Sequence, residues 1–167
     1  MGQAVQIGSY VLYGKTGVCR VVEKTGIAMG KEINDYYVLS PVGDGRSSVF
    51  VPCDNEALVA KMCPLMTREE IDALLSVADN ERLEWIDDRS QRMSFYRSVM
   101  SGNDRRMLIR LICCLFRKKY ERQELGKRLS TMDDSTLQEC MRLIDEEFSM
   151  VLGIPQSKVV EYILERL

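Results

Sequence analysis

Histidine is absent from this 167-residue chain. That removes the side chain best suited to acid–base work near neutral pH and the commonest nitrogen ligand of transition metals. Zinc would have to rely on cysteine, yet Cys19, Cys53, Cys63, Cys113, Cys114 and Cys140 contain no C-x-x-C spacing. No metal and no other cofactor is therefore expected. No nucleophile elbow is present, and a carboxylate pair such as Asp87-Asp88 is adjacent in sequence and would point to different helix sides, so catalysis is not expected either. No apolar run approaches the eighteen or so residues of a membrane span, and no signal-peptide pattern is seen. The expectation is a soluble protein with thiol cysteines in a reducing compartment. Proline occurs four times and tryptophan once, at Trp85.

One stretch imitates a nucleotide site. Gly14-Lys15-Thr16 looks like the end of a phosphate loop, but Ser9 stands where its first glycine belongs, and the residues after Thr16 read as strand. A phosphate loop needs a following helix whose N-terminus receives the anion. A plain turn is the expectation there.

The net charge of −2 conceals an uneven distribution. Bases dominate from Arg82 to Arg128. After Met132, acids outnumber them. Trp85 beside this basic segment suggests a nucleic-acid surface, with any phosphate contact confined to the middle of the chain. The alternative is a solvated helix face laced with pairs such as Lys118–Glu121.

The hydrophobic period divides the chain. From Ile7 to Asp54, short β-branched and aromatic runs alternate with turns: Tyr10–Tyr13, Val18–Val22, Tyr36–Leu39 and Ser48–Val51, with Gly26 and Gly30 as interruptions and Pro52 ending the pairing. Four or five such strands fit a small, strongly bent SH3- or Tudor-like β-barrel, which leaves an edge for strand addition. After a connector with a short helical turn at 55–60, the period becomes 3.6. Thr67–Glu70 is a capping box. Further helices are expected over Glu81–Ser101, from Asp104 to about Lys119, from Ser130 or Thr131 to Gly153, and from Pro155. The fold class is α+β with two domains: a β-barrel over 1–60, then an all-α bundle of about five helices over 61–167.

The order of several short motifs resembles the CarD and CdnL family of bacterial transcription regulators, whose N-terminal half is shared with the transcription-repair coupling factor. The matching residues are Ile7-Gly8-Ser9-Tyr10-Val11-Leu12-Tyr13, Gly17-Val18, Tyr36-Tyr37-Val38-Leu39, Val51-Pro52 with Asn55, Trp85, Ser101-Gly102-Asn103-Asp104, and Lys127-Arg128-Leu129-Ser130. The resemblance implies a cytoplasmic bacterial protein, bound to the nucleoid through RNA polymerase, whose Tudor-like domain extends a sheet of the polymerase β subunit. The polymerase-facing residues would be Lys24, Thr25, Ile27, Val49, Phe50 and Val51. It implies a helical domain on promoter DNA at the upstream edge of the bubble, with Trp85 as a minor-groove wedge and weak DNA binding by the protein alone. Since Asp87 and Asp88 stand where relatives carry bases, the phosphate contacts beside the wedge are displaced to Arg89 and Arg92. Proximity of charge adds Lys118, Lys119, Lys127 and Arg128 as expected phosphate contacts. A monomer is expected, a domain-swapped dimer being the alternative assembly. The rival reading is an adaptor that binds a second protein through the acidic helix near the C-terminus and does not touch DNA.

Overall fold

The computed structural model describes residues 5–78 and 81–167. The chain divides into two compact units, Met1–Leu65 and Met66–Leu167.

The first unit is one antiparallel sheet of β1 (Tyr10–Tyr13), β2 (Gly17–Met29), β3 (Glu32–Pro41), β4 (Val49–Pro52) and β5 (Met62–Pro64), in the order β4-β3-β2-β1-β5. The sheet is open, not the closed barrel expected. Closure would need a ladder between β4 and β5. The latter has only three residues and ends in Pro64, which has no N–H to donate. Between β1 and β2, Gly14–Thr16 form a single 3-10 turn followed directly by strand, so no helix N-terminus is available to a phosphate. The turn relies on positive φ at Gly14 and Gly17, a region glycine enters without a Cβ penalty.

β2 runs on through Gly26, where an interruption was expected. The ladder with β3 continues through the Gly26–Asp35 pair, and glycine suits the position because a Cβ there would lie 2.9 Å from Ile33 Cγ2. Pro52 also remains in the ladder, opposite Tyr36. A short helix α1 (Glu56–Ala60), capped by the Asn55 side chain accepting from the Leu58 N–H at 3.1 Å, returns the chain to β5. Its Leu58 and Val59 cover a core of Val11, Cys19, Val21, Leu39, Val51 and Met62.

The second unit holds α2 (Arg68–Ala78), α3 (Arg89–Ser101), α4 (Arg105–Glu124), α5 (Thr131–Leu152) and α6 (Val159–Leu164). Thr67 and Glu70 close the expected capping box reciprocally, at 3.2 and 2.8 Å. The third helix departs from expectation. It starts at Arg89, because the Asp88 carboxylate accepts the Gln91 N–H at 2.8 Å and ends a non-helical connector over 81–88. Asp104 and Ser130 cap α4 and α5 in the same way. Gly153, at φ 66°, stops α5 in the left-handed conformation typical of helix ends. Leu111 and Leu115 of α4 meet Ile144 and Phe148 of α5 at the centre, with Ile71 and Leu75 of α2 in the same core. Phe148 is fully buried, and truncating a phenylalanine in such a site costs about 3–5 kcal/mol.

Candidate nucleic-acid and protein interfaces

Trp85 lies in the connector, not on a helix. Its ring is partly buried against the helical core. Two cations stand over the indole: Arg92 Cζ at 4.6 Å from the ring centroid and Lys118 Nζ at 5.1 Å. Both distances fall within the range of cation–π attraction.

The connector is laced down by arginines that donate to its backbone carbonyls. Arg110 reaches Glu81 O at 2.9 Å, Arg117 reaches Leu83 O at 3.0 Å, and Arg92 reaches Ile86 O and Asp87 O at 3.0 and 3.2 Å. An extended segment without ladder partners must satisfy its carbonyls by other means, and guanidinium groups do so here with charge-assisted bonds. Much of the basic density between Arg82 and Arg128 therefore serves the fold.

Arg92 is the deepest of the three, only 8% exposed. Its Nε and Nη2 meet the Asp133 carboxylate at 2.9 and 3.3 Å. The same carboxylate accepts from Tyr96 Oη at 2.7 Å and from Ser130 Oγ at 2.6 Å. The Asp133 N–H in turn donates to Ser130 Oγ at 3.1 Å, which is the cap of α5. Burial alone would raise the Asp133 pKa. The bonds from Arg92, Ser130 and Tyr96 outweigh it and hold the carboxyl below its ordinary value. For Arg92, burial pulls the pKa down and Asp133 more than restores it. Burial and the facing carboxylate together keep Tyr96 protonated. The expectation of a phosphate contact at Arg92 is corrected on this ground: its guanidinium is enclosed and its donors are engaged. Asp133, Tyr96 and Ser130 were missed as parts of the site. An arginine and a tyrosine four residues apart share one face of α3, but nothing in that spacing names the distant acceptor, Asp133.

The remaining bases differ in availability. Arg89 is exposed at the start of α3. Lys118 shares its charge with Glu121 at 3.4 Å and with the indole. Lys119 pairs with Asp134 at 3.2 Å, and it lines a shallow hollow with Arg128, Thr131 and Ser135. Lys127 and Arg128 are exposed beyond Gly126. The fold thus brings Trp85, Arg92 and Lys118 into one cluster, and Lys119 and Arg128 into another.

In the β unit, register decides which expected contacts face outward. Cys53 N–H donates to Asp35 O at 2.9 Å, which sets the phase of the β3–β4 ladder. By alternation, Val49 and Val51 turn their backbone groups to β3, and Phe50 turns its own to the open edge. Carried across β3, the same alternation points the Lys24 backbone to the open side of β2 and those of Thr25 and Ile27 to β3. The side chains of Thr25, Ile27, Tyr36 and Phe50 share the face opposite the core. Tyr36 and Phe50 meet edge to face, with ring centroids 6.5 Å apart, and Phe50 is 50% exposed. Val51 is fully buried, so its side chain belongs to the core and is not a contact surface. Lys24 covers the Tyr37 ring at 5.9 Å.

The β unit is an open sheet with β4 at one edge, and the helical unit that follows in sequence holds the lone indole beside two cations. Residues 5–63 match the family of the CarD-like/TRCF RID domain. The match is confined to the β unit, and the domain it resembles suggests a transcription-related, RNA polymerase-interacting role. No curated protein matches the chain. Among the described residues, no helix is long and apolar enough to cross a membrane.

Proposed function

We propose that this protein is a transcription initiation regulator. Its sheet adds to the polymerase β subunit through the β4 edge, and its helical unit contacts promoter DNA at the upstream margin of the bubble. The observation that supports this most is the setting of Trp85. A partly buried indole, on a non-helical segment pinned at four carbonyls, would present a stiff apolar wedge beside positive charge. A wedge pressed against a base step costs a few kcal/mol of unstacking, and it is useful where the duplex is already opening. Little sequence readout is required, since the minor groove carries a degenerate code. Arg89, Lys118, Lys119, Lys127 and Arg128 would supply the phosphate contacts, and Arg92 would support the wedge from beneath.

The deciding measurement is the lifetime of open promoter complexes formed with purified bacterial polymerase. The protein should lengthen it, and Trp85→Ala should lose that gain while still binding polymerase. If the lifetime and the footprint on DNA do not change when the protein is added, the DNA-contact reading fails and an adaptor role replaces it.

A further inference from the structure

The helical unit contains a groove of about 520 Å³ between α4, α5 and α6, on residues that the proposed DNA and polymerase contacts do not use. Its surface is largely apolar, with Phe116, Met141, Ile144 and Ile163 prominent. One carboxyl group, that of Asp145, lines this apolar surface. The neighbouring acids of α5 are all answered by cations: Glu139 and Glu146 by Arg142, each at 2.7 Å, and Glu147 by Arg105 at 2.9 Å. Asp145 is the exception. Among the described residues no donor or cation meets it, and burial alone pushes its pKa up to about 6. Arg82 and Arg117 also line the groove, and Arg117 is engaged with the Leu83 carbonyl.

Asp145 is only partly buried, but on an apolar wall its carboxylate is partly desolvated, and a basic group would pair with it favourably there. The volume falls within the range of small-molecule pockets, roughly 300–1,000 Å³, which are mainly apolar with a few placed polar groups. A protein partner would need a wider footprint, roughly 20–30 residues on each side. We propose that this groove binds a small apolar molecule bearing one basic nitrogen, with the nitrogen on Asp145 and the apolar body across Ile144, Met141, Ile163 and Phe116. A ligand of this kind would replace the missing cation and cover the exposed parts of Phe116 and Leu164 in one step.

Three probes of matched shape test the assignment: 4-phenylbutylamine, 4-phenylbutan-1-ol and 4-phenylbutyrate, titrated into the full chain and followed by two-dimensional amide NMR. At pH 7.5 the amine should shift the Ile144, Asp145 and Ile163 amides saturably. The alcohol should bind at least about tenfold more weakly, since one ion pair in a half-buried site is worth more than about 1.4 kcal/mol. The anion should bind weakest. Asp145→Asn should reduce the amine to the level of the alcohol, and so should pH 4.5, where Asp145 is neutral and the amine stays charged. The other ionisable side chains lining the groove are Arg82, Cys113, Arg117 and Tyr120; α6 contributes Val160, Ile163 and Leu164, and Leu167 follows it. Ile163→Trp should fill the groove and abolish binding of all three. Equal affinities for the three probes, amine binding indifferent to Asp145→Asn, shifts scattered away from the groove, or no binding at all would each overturn the proposal.

Discussion

Arg92 holds Trp85 by its ring and by its backbone at once. The guanidinium carbon lies 4.6 Å from the indole centroid, while Nη1 binds the carbonyls of the two residues after the indole, at 3.0 and 3.2 Å. Ring and backbone are therefore fixed together, and Asp133 fixes the guanidinium in turn at 2.9 Å. Orientation of the indole depends on a buried ion pair contributed by α3 and α5.

Removing one partner of that pair leaves the other buried and uncompensated. Arg92→Ala or Asp133→Asn should destabilise the helical unit by about 3–5 kcal/mol in chemical denaturation. The double replacement Arg92→Met with Asp133→Leu should recover most of that stability, yet it should not restore open-complex lifetime, because the carbonyls after Trp85 stay unclamped. Full recovery of both would show that Arg92 serves packing alone.

Strand addition at β4 predicts a contrast between adjacent prolines. Phe50→Pro removes an N–H that faces the open edge, so it should leave the β unit folded and abolish polymerase binding. Val49→Pro removes an N–H directed at β3, and it should lower the melting temperature of the unit as well. Phe50→Ala separates side chain from backbone: retained binding, reduced by less than about tenfold, is expected if backbone pairing dominates. Unchanged binding by Phe50→Pro in a pull-down with polymerase would exclude this edge.

The exposed pair after Gly126 should act as plain phosphate contacts. Lys127→Ala and Arg128→Ala should each reduce the slope of log affinity against log salt by about 0.9 for duplex promoter DNA, measured in the presence of polymerase. An unchanged slope would place these side chains away from the DNA.

Two carboxyl groups give opposite dependences on pH. Asp145 has a folded-state pKa of about 6 against an ordinary 3.8, so its charge opposes folding above pH 6, and that penalty fades as pH falls toward 3.8. Asp145→Asn should raise the melting temperature at pH 7.5 by about 2 °C, with the difference gone near pH 4. Asp133 is depressed below 3.8, so it contributes stability above that value and loses it as pH falls through the folded pKa. Melting curves of the parent protein and of Asp145→Asn between pH 3 and 8 would resolve both.

The change of hydrophobic period, the caps at Thr67, Asp104 and Ser130, and the stop at Gly153 were legible in the sequence because each depends on neighbours within four residues. The features that were not legible depend on distant partners. The third helix was expected from Glu81, since Leu83, Ile86 and Met93 fit a helical period, but arginines from α3 and α4 hold 81–88 in a non-helical form and Asp88 caps the helix only at Arg89. β5 was hidden because three residues carry no periodicity, and its existence depends on pairing with β1. Gly26 read as a break, although the crowding that requires it comes from Ile33 across the ladder. The excess of bases between Arg82 and Arg128 was visible in the sequence, but charge in a sequence does not distinguish a donor to carbonyls from a donor to phosphates.

Trp85 is the only indole in the chain, and two cations stand close to its ring at the place where DNA contact is proposed. The protein consequently carries its own optical reporter. Fluorescence excited at the red edge of indole absorption comes from this one ring, so its emission wavelength and its quenching by iodide or acrylamide read the state of the connector without any label. Stopped-flow mixing with polymerase and promoter could then time the arrival of the ring against the opening of the bubble.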